Sequence, residues 1–192
     1  MQTYRMALDV IRYCWGIFCL FWLVAAISTK RSVYRESGAQ RLRYSLLLLA
    51  GCFLLFKGYR MSYPLSARVI PHVEILAWAG VILCAAGLGF CLWARLTLGR
   101  NWSGTVTLKE EHELVVRGPY RLVRHPIYTG LLAMSLGTFI MSGRVAGIIG
   151  LVMMFISFWI KLRDEEEIML KQFPEQYASY QQRVRRLVPF VL

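Results

Sequence analysis

Five long apolar runs, separated by basic and polar segments, dominate the chain. They cover residues 11–28, 44–59, 74–94, 126–142 and 145–162. A helix needs about 20 mostly apolar residues to cross the hydrocarbon core of a bilayer, and somewhat fewer where flanking arginines and lysines reach the interface. The pattern therefore predicts an all-α integral membrane protein with about five transmembrane helices.

Short signals within and between these runs predict how the helices meet. The last two runs are separated only by Ser142, Gly143 and Arg144, so we expect a tight antiparallel hairpin. The run 74–94 contains AWAG and AAGLG, clusters of small residues that suit close packing of a neighbouring helix. In the loop after the third run, TVTL and ELVV could form short extended stretches.

The polar C-terminal stretch contains a further helix signal. The segment FPEQYASYQQRV has Pro174 in the first turn of a possible helix. Tyr177, Tyr180 and Val184 would share one face of it. We expect this helix to lie at the membrane interface against the bundle.

Composition and charge support a membrane protein and exclude a nucleic-acid-binding domain. The chain is 57% hydrophobic and 18% charged, against roughly 45–50% and about 25% in soluble domains. Its net charge of +12 comes from basic residues that flank the apolar runs, as in membrane proteins, and not from a basic polar face.

The distribution of basic residues predicts the orientation. Placing segments 28–43, 94–125 and 161–192 in the cytoplasm puts 17 of the 23 lysines and arginines there, as the positive-inside rule favours. We expect a multi-pass protein of a cell membrane with an outside N-terminus and a cytoplasmic C-terminus.

Cysteine and histidine spacing points away from metal chemistry. The five cysteines fall in apolar runs without a CxxC pair, and the three histidines, His72, His112 and His125, have no ligand spacing. We therefore predict no disulfide framework, no metal site and no catalytic triad.

The segment RGPYRLVRHPIYTG, residues 117–130, is the first candidate for chemistry. Pro126 suits the first position of a helix, and this alone is an ordinary helix start. A helix N-terminus also attracts anions, and Arg121, Arg124 and His125 add donors beside it. A pocket for a carboxylate or phosphate at the membrane edge is one hypothesis.

The second candidate is the acidic run Asp164-Glu165-Glu166-Glu167 after the fifth span. Its ordinary interpretation is a solvated turn neutralised by Lys161 and Arg163. The predicted hairpin, however, returns residue 165 to the neighbourhood of residue 126. Together the two segments offer both signs of charge, as a zwitterionic ligand such as an amino acid requires, and a carboxylate also suits ribose hydroxyls.

Three motifs in combination resemble the isoprenylcysteine carboxyl methyltransferases and the related phospholipid methyltransferases. They are LGRNWSG, HELVVRGPYRLVRHPIYTG and RDEEEIMLKQFPEQYASYQQRVRRLVPF, and the likeness covers residues 95–192. The resemblance implies an integral membrane methyltransferase that uses S-adenosylmethionine. It also implies one membrane domain, 1–192, with three transmembrane helices in 1–94 and a cofactor-binding catalytic region in 95–192.

The resemblance also implies site residues. The cofactor-binding set comprises His112, Glu113, Leu114, Val115, Tyr120, His125, Pro126, Tyr128 and Glu166. Under this assignment we expect Glu166→Ala to abolish cofactor binding with the fold retained.

The residues that would bind the methyl acceptor match the family pattern less well than the cofactor residues do. An arginine of the eukaryotic members aligns with Leu162, and either of its neighbours, Lys161 or Arg163, could replace it; Arg163 is our candidate for the acceptor carboxylate. Glu167 is a candidate base, as is Glu165, where an amine or thiol acceptor must lose a proton. A carboxylate acceptor requires no base.

The resemblance therefore predicts methyl transfer to a lipophilic or lipid-modified acceptor that enters from the bilayer, with no nucleic acid and no metal. The short chain resembles a prokaryotic homologue, so we expect a bacterial or archaeal cell membrane. One alternative is an NADPH-dependent reductase of the sterol reductase type, which shares an R-H-x-x-Y element; the acidic run disfavours a 2′-phosphate. A scaffold or transporter is the other alternative, weakened because no span carries charge near its middle.

Overall fold

The computed structural model describes residues 2–27, 32–35, 37–99, 102, 107–109 and 114–189. These residues form six α-helices and two short strands. In chain order the elements are α1 (Gln2–Ala26), β1 (Ser32–Arg35), α2 (Gly38–Lys57), α3 (Glu74–Leu98), β2 (Thr107–Lys109), α4 (Pro126–Ser142), α5 (Val145–Gln172) and α6 (Pro174–Arg183).

Within the described residues, the five predicted apolar runs lie in helices, the first as far as Ala26 and the second ending in the 3-10 turn Gly58–Arg60. By length and composition, α1, α3, α5 and α2 with its closing 3-10 turn are apolar enough to cross a membrane. The short one is α4, whose 17 residues extend about 26 Å. Helix α2 starts six residues before the predicted span, because Ser37 and Gln40 form a capping box at its N-terminus. The predicted all-α membrane fold is confirmed.

Glycines bring two pairs of helices into close contact. In the α3–α4 seam, a Cβ atom on Gly80 would lie 2.5 Å from the carbonyl oxygen of Gly137, and one on Gly87 would lie 2.6 Å from that of Gly130. In the α2–α5 seam, a Cβ atom on Gly150 would lie 2.6 Å from the carbonyl oxygen of Gly51. The small-residue clusters of α3 therefore pack as predicted.

The turn between α4 and α5 is as short as the sequence predicts. Gly143 adopts a left-handed conformation with φ 63°, and its N–H donates to the Phe139 carbonyl at 2.6 Å. The two helices run antiparallel, but their most extensive packing is with other partners, α4 with α3 and α5 with α2. The hairpin thus joins two glycine-packed pairs.

The C-terminal ends of α1 and α3 are joined by a buried arginine. Arg95, only 4% exposed, donates through Nη2 to the Ala25 carbonyl and through Nη1 to that of Gly99, both at 2.6 Å. Its guanidinium lies 4.7 Å from the centre of the Trp102 ring. Strands β1 and β2 form an antiparallel pair, which confirms part of the predicted TVTL stretch as extended.

The C-terminal helix α6 begins at Pro174, as predicted, and buries Tyr177 and Tyr180. Val184 lies beyond its end and not on its face. The following residues, 184–189, form a C-terminal strap along the start of α4. The backbone N–H groups of Arg124 and His125 donate to the carbonyls of Arg185 and Arg186 at 2.7 and 3.0 Å, so the strap fixes the entry to α4.

Candidate active site

A polar cluster forms where the start of α4 meets the last turns of α5. It contains Arg124, His125, Tyr128, Glu165 and Glu166. The short α4–α5 turn reverses the chain direction, so the acidic run of the longer α5 returns to the RHP segment at the start of α4. The juxtaposition of residues 126 and 165 expected from the sequence is therefore confirmed.

Glu166 is the centre of this polar cluster and is 3% exposed. One carboxylate oxygen accepts from Arg124 Nε at 2.8 Å and lies 3.2 Å from His125 Nε2. The other accepts from Gln181 Nε2 at 3.3 Å and Arg186 Nε at 3.0 Å. Four side chains from three parts of the chain thus satisfy the Glu166 carboxylate.

The enclosure of Glu166 changes two expectations. The Arg124 guanidinium donates hydrogen bonds to Glu166 and to the carbonyls of Gln181 and Val184. It is therefore not a free donor for an anion at the start of α4. Removing the Glu166 carboxylate would leave the Arg124 charge buried without its partner, which is strongly destabilising. We therefore expect Glu166→Ala to lower stability as well as cofactor binding.

His125 lies between two carboxylates. Its Nδ1 is 3.5 Å from Glu165 Oε2, and its Nε2 is 3.2 Å from Glu166 Oε1. Burial opposes the charged ring, but hydrogen bonds and charge from Glu165 and Glu166 outweigh it and raise the pKa of His125. The imidazolium form is thereby favoured.

Tyr128 and Lys161 hold the second glutamate of the cluster. The Tyr128 hydroxyl donates to Glu165 Oε1 at 2.5 Å, and the Lys161 ammonium is 3.9 Å from the same oxygen. The Tyr128 ring stacks between His125 and Phe158, with centroid distances of 5.6 and 5.1 Å. This stack fixes the direction of the hydroxyl.

The accessible charges of the cluster lie at its edge. The side chains of Arg124 and Glu166 are 6% and 4% exposed, whereas those of Glu165 and Arg186 are 25% and 35% exposed. Arg186 also lies 5.2 Å from the Trp159 ring centre. The edge therefore presents one acid and one cation to a ligand.

Tyr120 lies in the 3-10 turn Gly118–Arg121 and is buried. Burial raises the pKa of Tyr120; Glu165 adds to the effect and Arg95 opposes it. The Tyr180 hydroxyl donates to the Tyr120 carbonyl, whereas no described residue hydrogen-bonds the Tyr120 hydroxyl. That hydroxyl lies within electrostatic reach of both Arg95 and the polar cluster.

The other predicted cofactor residues have varied positions. Pro126 is buried at the first position of α4, and Leu114 and Val115 are half-buried in irregular backbone. His112 and Glu113 lie outside the described residues.

Arg163 and Glu167 lie on a different face of α5 from Glu166. Both are exposed, and Glu167 pairs with Lys171 at 2.7 Å. Neither contacts the polar cluster among the described residues, so their catalytic roles stay predictions without geometric support. Arg121, another expected donor, is also exposed.

Sequence reasoning missed three side chains. Gln181 and Arg186 reach Glu166 from α6 and the strap. Arg95 was counted among the loop cations, but it is buried, and its Nε has no hydrogen-bond partner among the described residues. A cation one turn before the end of an apolar helix was the available signal.

The described part of the chain contains no candidate metal site. There, no three His, Cys, Asp or Glu side chains are grouped to hold an ion.

Comparison with known proteins identifies the family. Residues 75–176 match the family described as phospholipid methyltransferase. The protein-S-isoprenylcysteine O-methyltransferase A of Arabidopsis thaliana is 34% identical over 161 residues, which cover 80% of this chain and 82% of the relative. A probable protein-S-isoprenylcysteine O-methyltransferase of Oryza sativa subsp. indica is 27% identical over 176 residues, covering 88% and 87% of the two chains.

A solved structure has a similar fold. It is that of the eukaryotic intramembrane Ras methyltransferase, isoprenylcysteine carboxyl methyltransferase, with a TM-score of 0.56 and 27% identity. The match covers 83% of this chain and 55% of that one, so the chain spans about half the length of the solved protein. The relatives give no support to the reductase alternative. This chain belongs to the phospholipid methyltransferase family and is a membrane methyltransferase related to the isoprenylcysteine carboxyl methyltransferases.

Proposed function

We propose that the chain transfers a methyl group from S-adenosylmethionine to the carboxylate of a lipophilic, prenylcysteine-like acceptor, at the cytoplasmic end of the bundle. The observation that carries this proposal is the polar cluster. It lies in the region that matches the family, and its edge offers Glu165 and Arg186, of opposite charge, beside the buried Tyr120.

The cluster suits the cofactor because a methionine moiety has one ammonium and one carboxylate. Glu165 would receive the ammonium and Arg186 the carboxylate, each by a charge-assisted hydrogen bond. The hydroxyl of Tyr120 is a further donor. S-adenosylmethionine supplies an electrophilic methyl group on a sulfonium sulfur.

The remaining predicted cofactor residues complete this assignment. We assign His112, Glu113, Leu114, Val115, Pro126 and Tyr128 to the wall of the cofactor pocket. Glu166 acts by orienting His125 and Arg186, since its own oxygens are satisfied by protein donors.

An aromatic row along α1 supports a lipophilic acceptor. Trp15, Phe18 and Trp22 follow the i, i+3, i+7 spacing of one helix face, and all three are half-buried. Phe18 stacks on Trp22 at 4.2 Å, and Trp22 meets Trp102 at 6.3 Å. A prenyl chain along this row would reach from the bilayer to Trp102.

The row ends at Arg95, which suits the carboxylate of such an acceptor. Its buried Nε is an unused donor, and the described residues provide no carboxylate to neutralise its charge. A buried cation of this kind is stabilised by an anionic ligand. We therefore prefer Arg95 to the exposed Arg163 as the acceptor-binding cation.

Methyl transfer to a carboxylate requires little acid–base catalysis from the protein. An ionised carboxylate is already a nucleophile at neutral pH, so the side chains must align it and exclude water. Arg95 would hold the carboxylate and the aromatic row its lipid chain. Glu167 is needed as a base only if the acceptor is an amine or thiol.

Calorimetric titration with S-adenosylhomocysteine and, separately, NADPH tests the cofactor. Saturable binding of S-adenosylhomocysteine alone is expected; binding of NADPH alone would overturn the proposal. Methylation of N-acetyl-S-farnesylcysteine tests the acceptor, with its carboxamide as the matched control. Equal methylation of acid and amide would exclude a carboxylate acceptor.

Two arginine variants separate the acceptor assignments. We expect Arg95→Gln to raise the KM for the farnesylated acid at least tenfold with S-adenosylhomocysteine affinity retained, because a charge-assisted hydrogen bond contributes about 1.5–3 kcal/mol. Arg163→Gln should change neither value. The reverse pattern would return the acceptor site to Arg163.

A further inference from the structure

The connection between α2 and α3 lies at the end of the bundle opposite the polar cluster; it carries cations and is followed by one acid, Glu74, at the start of α3. Helices α2 and α5 are antiparallel, since Gly51 packs on Gly150 and Gly58 on Ala146, so α2 ends far from Glu166. Residues 37–73 contain no aspartate or glutamate, yet they include Lys57, Arg60 and Arg68. This end thus carries local positive charge.

A cavity of about 470 Å³ lies at this end of α2. It is lined by Phe53, Lys57, Arg60, Met61 and Ser62. Both cations are exposed, and neither has a carboxylate partner among the described residues. The lining therefore combines two positive charges, one hydroxyl and two apolar side chains.

The surroundings place this cavity at a membrane interface. Tyr59 and Tyr63 are 55% and 84% exposed beside it, and tyrosines are enriched where helices leave the hydrocarbon core. Phe53, one turn further into α2 than Lys57, is 57% exposed toward the same side. From these positions we expect the cations at head-group depth and the phenyl ring at acyl-chain depth.

The location of these cations is unusual under the positive-inside rule. With the polar cluster on the cytoplasmic side, Lys57 and Arg60 fall on the opposite side, where short loops carry fewer basic residues. A bound anion of the membrane would offset their charge. Basic pockets between transmembrane helices on the cytoplasmic side of other membrane proteins bind phosphate-bearing lipid head groups by the same charge pairing.

We propose that the cavity at the end of α2 binds an anionic phospholipid. Lys57 and Arg60 contact its phosphate, Ser62 donates to a phosphate or glycerol oxygen, and Phe53 packs on the upper acyl chain. The proposal does not depend on the methyl-transfer reaction, because the cavity lies at the other end of the bundle.

The test compares phosphatidylglycerol with phosphatidylcholine of identical acyl chains, added to the full chain in detergent. Native mass spectrometry measures retained lipid, and thermal unfolding measures the shift in Tm. We expect more retained phosphatidylglycerol and a larger Tm increase. Each basic residue near an anionic head group strengthens binding about fivefold, so Lys57→Gln/Arg60→Gln should reduce the preference at least tenfold.

A matched control removes two cations elsewhere. Arg41→Gln/Arg183→Gln lowers the net charge equally and should retain the preference; equal loss in both double variants would overturn the proposal. So would an absent preference in the unaltered chain, or equal stabilisation by inorganic phosphate, which would indicate a site for soluble anions.

Two further measurements keep the test decisive if the double variant unfolds. The single variants Lys57→Gln and Arg60→Gln should each reduce the preference by several fold. In the unaltered chain, raising the salt concentration should also reduce it, because screening weakens exposed charge pairs. A preference insensitive to both would contradict the assignment.

Discussion

The polar cluster joins α4 to α5, whereas the glycine seams join each of these helices to another partner, and the two kinds of contact work by different means. In the seams, backbones touch at Gly80, Gly87 and Gly150, and the packing depends on volume. In the cluster, Arg124 and Glu166 are buried as an ion pair, and the packing depends on charge. Lipid provides no hydrophobic force between helices. We therefore expect a small change in side-chain volume at a seam, or in charge at the cluster, to change the stability of the fold.

Loss of the Glu166 charge should break the cluster and have the largest effect. Glu166→Gln keeps the side-chain volume but leaves Arg124 buried without a carboxylate. Breaking such a pair costs about 3–5 kcal/mol. Thermal unfolding in detergent should show a large fall in Tm, and S-adenosylhomocysteine binding should be lost with it.

The adjacent Glu167 is the matched control for Glu166. It is exposed, and among the described residues its ion pair is with Lys171, so Glu167→Gln should leave Tm nearly unchanged. Equal destabilisation by both variants would contradict the central role of Glu166. Loss of methyl transfer in Glu167→Gln with unchanged Tm would instead confirm Glu167 as catalytic.

Adding a single methyl group at a seam should have the next largest effect on stability. A Cβ atom on Gly87 would lie 2.6 Å from the Gly130 carbonyl, whereas one on Gly89 has no atom within 4 Å. Gly87→Ala should therefore destabilise by about 1–3 kcal/mol through overpacking. Gly89→Ala should be neutral or stabilise by up to about 1 kcal/mol, since alanine favours helix.

The two alanine variants are compared by thermal unfolding in the same detergent. Because the substitutions are chemically identical and two residues apart on α3, their difference isolates the seam contact. Equal Tm values would mean that α3 and α4 separate readily.

Titration of His125 should make the stability contributed by the cluster depend on pH, whereas the stability contributed by the glycine seams should not. The pKa of His125 is raised in the folded chain, so its stabilising contribution is complete below the unfolded value of about 6.5. It is lost as the pH rises through the higher folded value. Tm should fall over this window, and His125→Asn should flatten the profile. A parental profile in His125→Asn would assign the titration to another group.

The sequence predicted most of what depends on helix length and phase. The apolar runs predicted five helices, and the three-residue break at 142–144 predicted the return of Glu165 to His125. Helical phase could also have separated Glu166 from Arg163 and Glu167. Leu162 and Glu166 share one buried face of α5, while Arg163 and Glu167 share an exposed one.

Contacts made by irregular backbone could not be predicted in this way. Arg186 reaches Glu166 because the C-terminal strap lies along residues 124 and 125, and no local periodicity indicates where such a segment docks. The pairing of β1 with β2 likewise joins segments about 75 residues apart. The cluster was therefore predicted from its helical side only.

Breaking the exposed pair Arg43–Asp164 should have the smallest effect on stability, and it tests whether burial sets the strength of an ion pair. It lies at the same end as the polar cluster and has a similar length, 3.0 Å, but its side chains are 55% and 25% exposed. Solvent screens such a pair, so Asp164→Asn should cost at most about 1 kcal/mol, and added salt should diminish that cost. Thermal unfolding at low and high salt measures both. A loss as large as that of Glu166→Gln would mean that position at this end, and not burial, determines the strength of its ion pairs.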